Sequence, residues 1–154
     1  MMKKLILPAL LVTSLIFSCQ TSARAIFTID VKVNNVLIDN GTGGYDAGPY
    51  IEQETNTSYV PIRFVSENLG ATVSWNKQAK KVTIKSEDGK VIELTVGSKT
   101  AYVNGEKMTL PNAPVMPSYP NRVMVPLRYI SEVLGATVNV KKVDGILHVD
   151  ITTS

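Results

Sequence analysis

Two arginine–glutamate pairs are the residues best placed to do chemistry: Arg63 with Glu67, and Arg128 with Glu132. At i, i+4 spacing on a helix each pair can form an ion pair, a contribution of about 0.2–0.5 kcal/mol. The orientation is the less favourable one, because a cation in the first turn opposes the helix dipole. Something beyond local helix stability must hold each arginine. One reading is a carboxylate or sugar contact on the surface. The other is a structural ion pair whose arginine bonds loop carbonyls and ties helix to sheet, and the duplication favours it, since two identical binding sites are the larger assumption.

Other reactive side chains are sparse. Trp75, the only tryptophan, could stack on a sugar, but it shares a strand face with Val73 and is matched by Val140 in a second copy, which argues for a core role. Tyr45, Tyr50 and Tyr119 fall in segments where the copies diverge and are the better candidates for exposed aromatic contacts. His148, the only histidine, alternates with Leu147 and Val149 beside Ile146 and Asp150, the pattern of a solvated or hydrogen-bonded strand residue. Ser66 and Ser131 repeat, yet the place equivalent to His148 holds Thr83; no HExxH motif is present and no carboxylate pair is singled out. The expectation is a chain with no catalytic residues, no metal site and no cofactor.

Cys19 is the only cysteine, so no disulfide framework and no cysteine-based zinc or redox site can form. It lies near a targeting segment: Lys3 and Lys4 precede an apolar run from Leu5 to Phe17. That run is shorter than the roughly 20 residues a spanning helix needs and reads as a secretory signal over residues 1–25. Ala23-Arg24-Ala25 offers a cleavage site before Ile26, whereas Leu15-Ile16-Phe17-Ser18-Cys19 resembles a lipobox that would end the signal at residue 18 and lipidate Cys19. The bulky Phe17 makes the second exit the poorer fit, so secretion is favoured and a lipid anchor is the alternative. Without Lys3, Lys4 and Arg24, the later chain carries 13 basic and 13 acidic residues. That balance makes nucleic acid an unfavoured partner, and membrane contact is expected only through the signal or the anchor.

What positions these residues is a repeat. Val60 to Val73 recurs as Val125 to Val138, offset by 65 throughout, and differs only at Ile62/Leu127, Phe64/Tyr129, Val65/Ile130 and Asn68/Val133. Pro61 and Pro126 suit the first helical position. Ile62, Val65 and Leu69, like Leu127, Ile130 and Leu134, follow the spacing of one buried helical stripe. Gly70 and Gly135 stand where a left-handed cap is needed. After each helix an alternating pair predicts a hairpin: Thr72 to Lys77 with Lys81 to Ser86, and Thr137 to Lys142 with Ile146 to Thr152. Upstream hairpins turn at Asn34-Asn35 and Asn104-Gly105, and Val91 to Val96 adds a strand.

The predicted fold class is therefore α+β, with two tandem copies of an antiparallel strand-hairpin, short helix, hairpin unit over about 26–86 and 91–152. Two unequal linkers precede the helices. Asp39 to Ser58 is rich in glycine and polar residues, while Pro111, Pro114, Pro117 and Pro120 recur at every third position of the other. The proline spacing suits polyproline II and a ligand face, or more simply a stiff loop that cannot pair as a central strand.

The doubled pattern Val-Pro-Leu/Ile-Arg-aromatic-aliphatic-Ser-Glu-x-Leu-Gly-Ala-x-Val, each followed by a hairpin, resembles the copper amine oxidase N-terminal-like domain, or stalk domain, of bacterial cell-envelope proteins. The resemblance spans about residues 29 to 151, within a domain of 26–154, and is closest in the second copy. It implies a small α+β module of exported enzymes or cell-wall proteins with no catalytic role of its own. The copper of the name finds no support in the residues, because a copper site needs several imidazoles held together; the oxidase's cofactor-forming tyrosine motif is also missing, Thr55 to Tyr59 being only superficially similar. Three functions stay open: an envelope stalk or binding module contacting cell-wall polymer or another exported protein, an accessory or inhibitory subunit of an exported enzyme, and a small hydrolase of unrecognised type. The first is preferred.

Overall fold

The computed structural model describes residues 28–38, 48–118 and 121–153. Residues 1–25, read above as a secretory signal, and Cys19, Tyr45 and Tyr119 lie outside the described residues. The elements run β1 (Thr28–Val33), β2 (Val36–Leu37), β3 (Tyr50–Glu52), β4 (Thr57–Pro61), α1 (Ile62–Asn68), β5 (Thr72–Asn76), β6 (Lys81–Lys85), β7 (Val91–Thr95), β8 (Thr100–Val103), β9 (Glu106–Thr109), β10 (Met124–Pro126), α2 (Leu127–Val133), β11 (Ala136–Val143) and β12 (Ile146–Thr153). Short strands and two short helices make this an α+β fold.

Local chemistry sets the turns. Asn34 and Asn35 (φ 47° and 65°) and Asn104 and Gly105 (φ 51° and 82°) take the left-handed conformations of a two-residue hairpin loop, which asparagine and glycine tolerate best. At the end of α1, Gly70 (φ 79°) lets the chain turn back, so that its N–H reaches the Glu67 carbonyl at 3.0 Å and the Ala71 N–H reaches that of Ser66 at 2.8 Å. Helix carbonyls left without partners are thereby satisfied.

Pro61 and Pro126 differ from the sequence expectation. Each stands just before its helix as the last residue of a strand, with ψ of 120° and 115°. Those extended angles keep Pro61 in register with Met124, and the first helical N–H, on Ile62, donates to the Val123 carbonyl at 3.0 Å. The helix thus begins one residue later because sheet pairing claims the proline.

The strands form three sheets, ordered β11-β12-β1-β2, β10-β4-β3 and β5-β6-β7-β8-β9. Each helix leads into its own antiparallel hairpin, β5–β6 after α1 and β11–β12 after α2. The sheets do not follow the sequence halves. Strand β1, from the beginning of the chain, lies parallel to β12 with Val31 opposite Val149 and Val33 opposite Ile151. Strands β7 to β9, from the second half, extend the hairpin of the first. Between them β4 and β10, the strands that enter the two helices, pair with each other. The linker of residues 39–58 also contains β3 and the start of β4, where the sequence suggested only loop; the register Tyr50↔Tyr59 and the stacking of their rings reward a strand there.

One core runs through all of this. Val31, Val33, Val65, Ile84, Ile92, Ala101, Ile130 and Ile151 are fully buried and belong to a single cluster. Polar ties fasten the C-terminal ends of both helices: Asn34 Nδ2 donates to the Asn68 carbonyl at 3.1 Å, and Lys90 Nζ to the Val133 carbonyl at 2.8 Å. The second places a cation at the negative end of α2.

The two repeated serines are both buried but not equally satisfied. Ser131 Oγ donates to the Leu127 carbonyl at 2.8 Å, whereas Ser66 Oγ has no hydrogen-bond partner. A buried hydroxyl without a partner carries its desolvation cost uncompensated. Ser131→Ala is expected to lose about 1 kcal/mol, and Ser66→Ala to be neutral or stabilising; urea denaturation of the two variants measures the difference, and equal losses would contradict it.

Candidate functional site

Two grooves open beside the helices, and their walls are related by the repeat. The first, about 450 Å³, is lined by Pro61, Ile62, Arg63, Phe64, Val73, Trp75 and Val82. The second, about 400 Å³, has Pro126, Leu127, Arg128, Tyr129, Val138, Val140 and Leu147 at the equivalent places. In both, the helix supplies an arginine and an aromatic ring, and the following hairpin supplies the apolar floor. The remaining wall is exchanged between halves: Met116, Asn121, Arg122 and Val123 close the first groove, and Ile51, Asn56, Thr57 and Ser58 close the second. Most of each divergent linker's contribution therefore faces the helix of the opposite copy, with Pro111 beside the helix of its own.

The ion pairs sit on these rims. Arg63 Nε lies 3.7 Å from Glu67 Oε1, and Arg128 Nη1 lies 3.6 Å from Glu132 Oε1. The arginine side chains are 66% and 62% exposed, so each points its charge toward solvent at a groove mouth rather than into the interior. Exposed pairs of this kind contribute little to stability, about 0–1 kcal/mol.

Trp75 is half-buried and packs on the edge of the core while lining the first groove. Its equivalent, Val140, is 42% exposed. Both residues line their grooves, and at the first the larger ring replaces the smaller valine wall of the second. Sequence reasoning set Trp75 aside because a shared strand face cannot show that the neighbouring wall is a loop from elsewhere in the chain.

Tyr50 is not a free surface ring. It stacks on Tyr59, ring centroids 5.4 Å apart and 13° from parallel, and Tyr59 Oη donates to the Ala113 carbonyl at 3.0 Å. Asn112 Nδ2 adds a 2.6 Å bond to Thr57 Oγ1, so the proline-rich linker is fastened to β4. Consistent with its stiff-loop reading, that linker's pairing is confined to the bridge Val115↔Met124 among the described residues.

Burial, with Tyr59 and Glu52 adding to it, pushes the Tyr50 hydroxyl up to about 12. Tyr59 is raised by burial and then by Glu52. A hydroxyl raised on folding stabilises the fold fully below its unfolded value of 10.0, and that contribution is lost as pH climbs toward about 12. Tyr50→Phe is expected to keep more of its stability between pH 10 and 12 than the parent. Urea midpoints across that window test this, and parallel declines would count against it.

His148 Nδ1 lies 3.5 Å from Asp30 Oδ2 across the β1–β12 register. Among the described residues no group of three or more histidine, cysteine or acidic side chains is placed to hold a metal ion. Copper, which the resemblance brings to mind by name, thus has no fitting ligand set among them.

A family model described as the copper amine oxidase N-terminal domain matches residues 37–148, from within β2 to within β12. No curated protein matches the chain.

Proposed function

Since the chain belongs to the copper amine oxidase N-terminal domain family, a non-catalytic module of amine oxidases, we propose that it acts as an exported cell-envelope stalk or binding module. In this reading it is secreted after cleavage before Ile26, with a lipid anchor at Cys19 as the alternative, and it contacts cell-wall polymer or another exported protein. The two sequence copies act as one body, because β1 and β7 to β9 each complete a sheet begun by the other half. The observation that carries the proposal is the pair of repeat-related grooves with exposed arginines at their mouths. Rigid helices and hairpins hold the shared surfaces, and the divergent linkers supply the difference between them. That arrangement suits recognition, in which variable loops are displayed on a fixed scaffold.

The experiment is retention of the purified mature protein on isolated cell wall, with affinity purification from the exported fraction alongside. Sedimentation with the wall, or one stoichiometric exported partner, supports the proposal. A protein that stays in solution and purifies alone overturns it. The accessory-subunit reading gains specific support from the proline-rich linker, which lines both grooves through Pro111 and Met116. It predicts that a Gly/Ser replacement of residues 111–120 releases an enzyme partner.

A further inference from the structure

We infer that the free edge of β11 is the contact surface for a second copy of this chain, which pairs with it strand to strand and joins two four-stranded sheets into one. The inference goes beyond the proposed binding role and does not depend on it.

Strand β11 ends the sheet ordered β11-β12-β1-β2. At eight residues it is, with β12, one of the two longest strands among the described residues. One side pairs with β12 along its whole length, and among the described residues no backbone hydrogen bond reaches the other side. A row of open backbone donors and acceptors is a template for another strand. The side chains point the same way. Val140 lies opposite Val149 on the core-facing side of the sheet. Val149 has a strand on either side and is 2% exposed, whereas Val140, one strand further out, is 42% exposed. What Val140 lacks is the next strand.

The residues of β11 fit that strand to be a second β11. A strand that meets its own copy around a two-fold axis through the sheet runs antiparallel to it and keeps the same face inward. With Asn139 on the axis, Val138 of each copy stands opposite Val140 of the other, and Thr137 stands opposite Lys141. Two valine pairs then meet on the core-facing side, where the same residues form a wall of the second groove in each copy. Edge lysines ordinarily discourage such pairing. In this register, however, the two Lys141 charges stand four residues apart along the strands, about 14 Å at about 3.4 Å per residue, beyond the screening length of about 8 Å at physiological salt. Other registers match less well: an axis at Val140 sets Lys142 against Val138, one at Lys141 brings like charges together, and one at Val138 leaves Val140 opposite the small Ala136. A strand from another protein would have to supply the same alternation; a second copy already carries it.

The equivalent strand β5 serves as a control within the molecule. It also ends its sheet, but it has five residues, and Trp75, in the place of Val140, is already half-buried.

Sedimentation of the chain from Ile26 over a concentration series should show a mass that rises from one chain toward two. Val140→Lys should weaken the dimer at least about tenfold, because the two-fold makes one substitution remove two cross-strand valine pairs; circular dichroism confirms that the variant folds. The chain from Ile26 has no cysteine, so single cysteines report on the contact. A short thiol-reactive cross-linker should join copies of Asn139→Cys, which the axis brings together, and leave Ser74→Cys, at the equivalent place on β5, as single chains.

A one-chain mass at every concentration overturns the inference. So does a mass that grows past two chains, a dimer that Val140→Lys leaves intact, or cross-linking no faster at Asn139→Cys than at Ser74→Cys. Wall retention keeps this claim apart from the module proposal. A chain retained on wall that stays single sinks the dimer and leaves the module standing; one that dimerises but neither sediments with wall nor finds an exported partner does the reverse.

Discussion

A chain that begins at Val36 is expected to lose its cooperative unfolding transition, whereas one that begins at Ile26 keeps it. Strand β1 is the reason. Ile29, Val31 and Val33 are 3%, 0% and 0% exposed, and their strand sits inside a sheet, hydrogen-bonded to β12 on one side and β2 on the other. Burial of three such side chains contributes about 1.5–3 kcal/mol each, roughly 5–9 kcal/mol together. The whole stability of a small domain is only about 5–15 kcal/mol. Removing β1 also takes away Asn34, whose N–H donates to the Ile151 carbonyl at 2.8 Å and whose Oδ1 accepts from the Thr153 N–H at 3.1 Å. The family match starts at residue 37 and leaves β1 outside it, so the match alone would suggest that the shorter chain suffices. Thermal melts followed by circular dichroism decide the matter. If the Val36 chain melted within a few degrees of the longer one, β1 would be an accessory strand rather than part of the core.

The same strand shows where sequence reading stops. Alternation in Thr28–Val33 marks a strand with one buried face, and Asn34-Asn35 marks its turn. Neither says which edge the strand will join. Its partner lies 118 positions away, Thr28 opposite Ile146, and the pairing is parallel. A period-two pattern is equally compatible with any apolar partner, so pairing over such a distance is set by the assembled core and not by the segment. The helices were legible because their information is local: proline before, glycine after, and apolar residues at helical spacing between. Only the one-residue shift at Pro61 and Pro126 required the neighbouring strand to be seen.

The candidate site divides along the same line. Arg63 and Arg128 could be picked out because they repeat, and their glutamates because i, i+4 spacing brings them together. The expectation that the arginines bond loop carbonyls came from treating the helix dipole as the deciding term. The exposed geometry shows a weaker constraint, in which solvent and a glutamate suffice for a cation in the first turn. Tyr50 was legible as an aromatic in a divergent segment, but its stacking on Tyr59 depends on β3, which three residues of ordinary composition do not announce. The groove around Trp75 was hidden for a related reason, since Met116 and Asn121 reach it from a linker whose path only the fold defines.

Ile130→Ala is expected to lower stability by about 2–5 kcal/mol, the usual cost of emptying a buried isoleucine site. Ile130 is fully buried on α2, a helix that packs against β4 from the first half, β10 and β11 from the second, and α1. Collapse around the missing atoms is resisted, because α2 is held between the paired strands β4 and β10 of one sheet and β11 of another. Ile130→Val, which restores the side chain that the first copy carries at Val65, should lose only about 0.5–1.5 kcal/mol. Arg128→Gln, two residues earlier on the same helix but 62% exposed, should stay within about 0.5 kcal/mol of the parent. Urea denaturation of the three variants, with unchanged slopes, checks the ranking. A loss at Arg128 as large as that at Ile130 would mean that the arginine supports the fold after all, and would count against reserving it for a ligand.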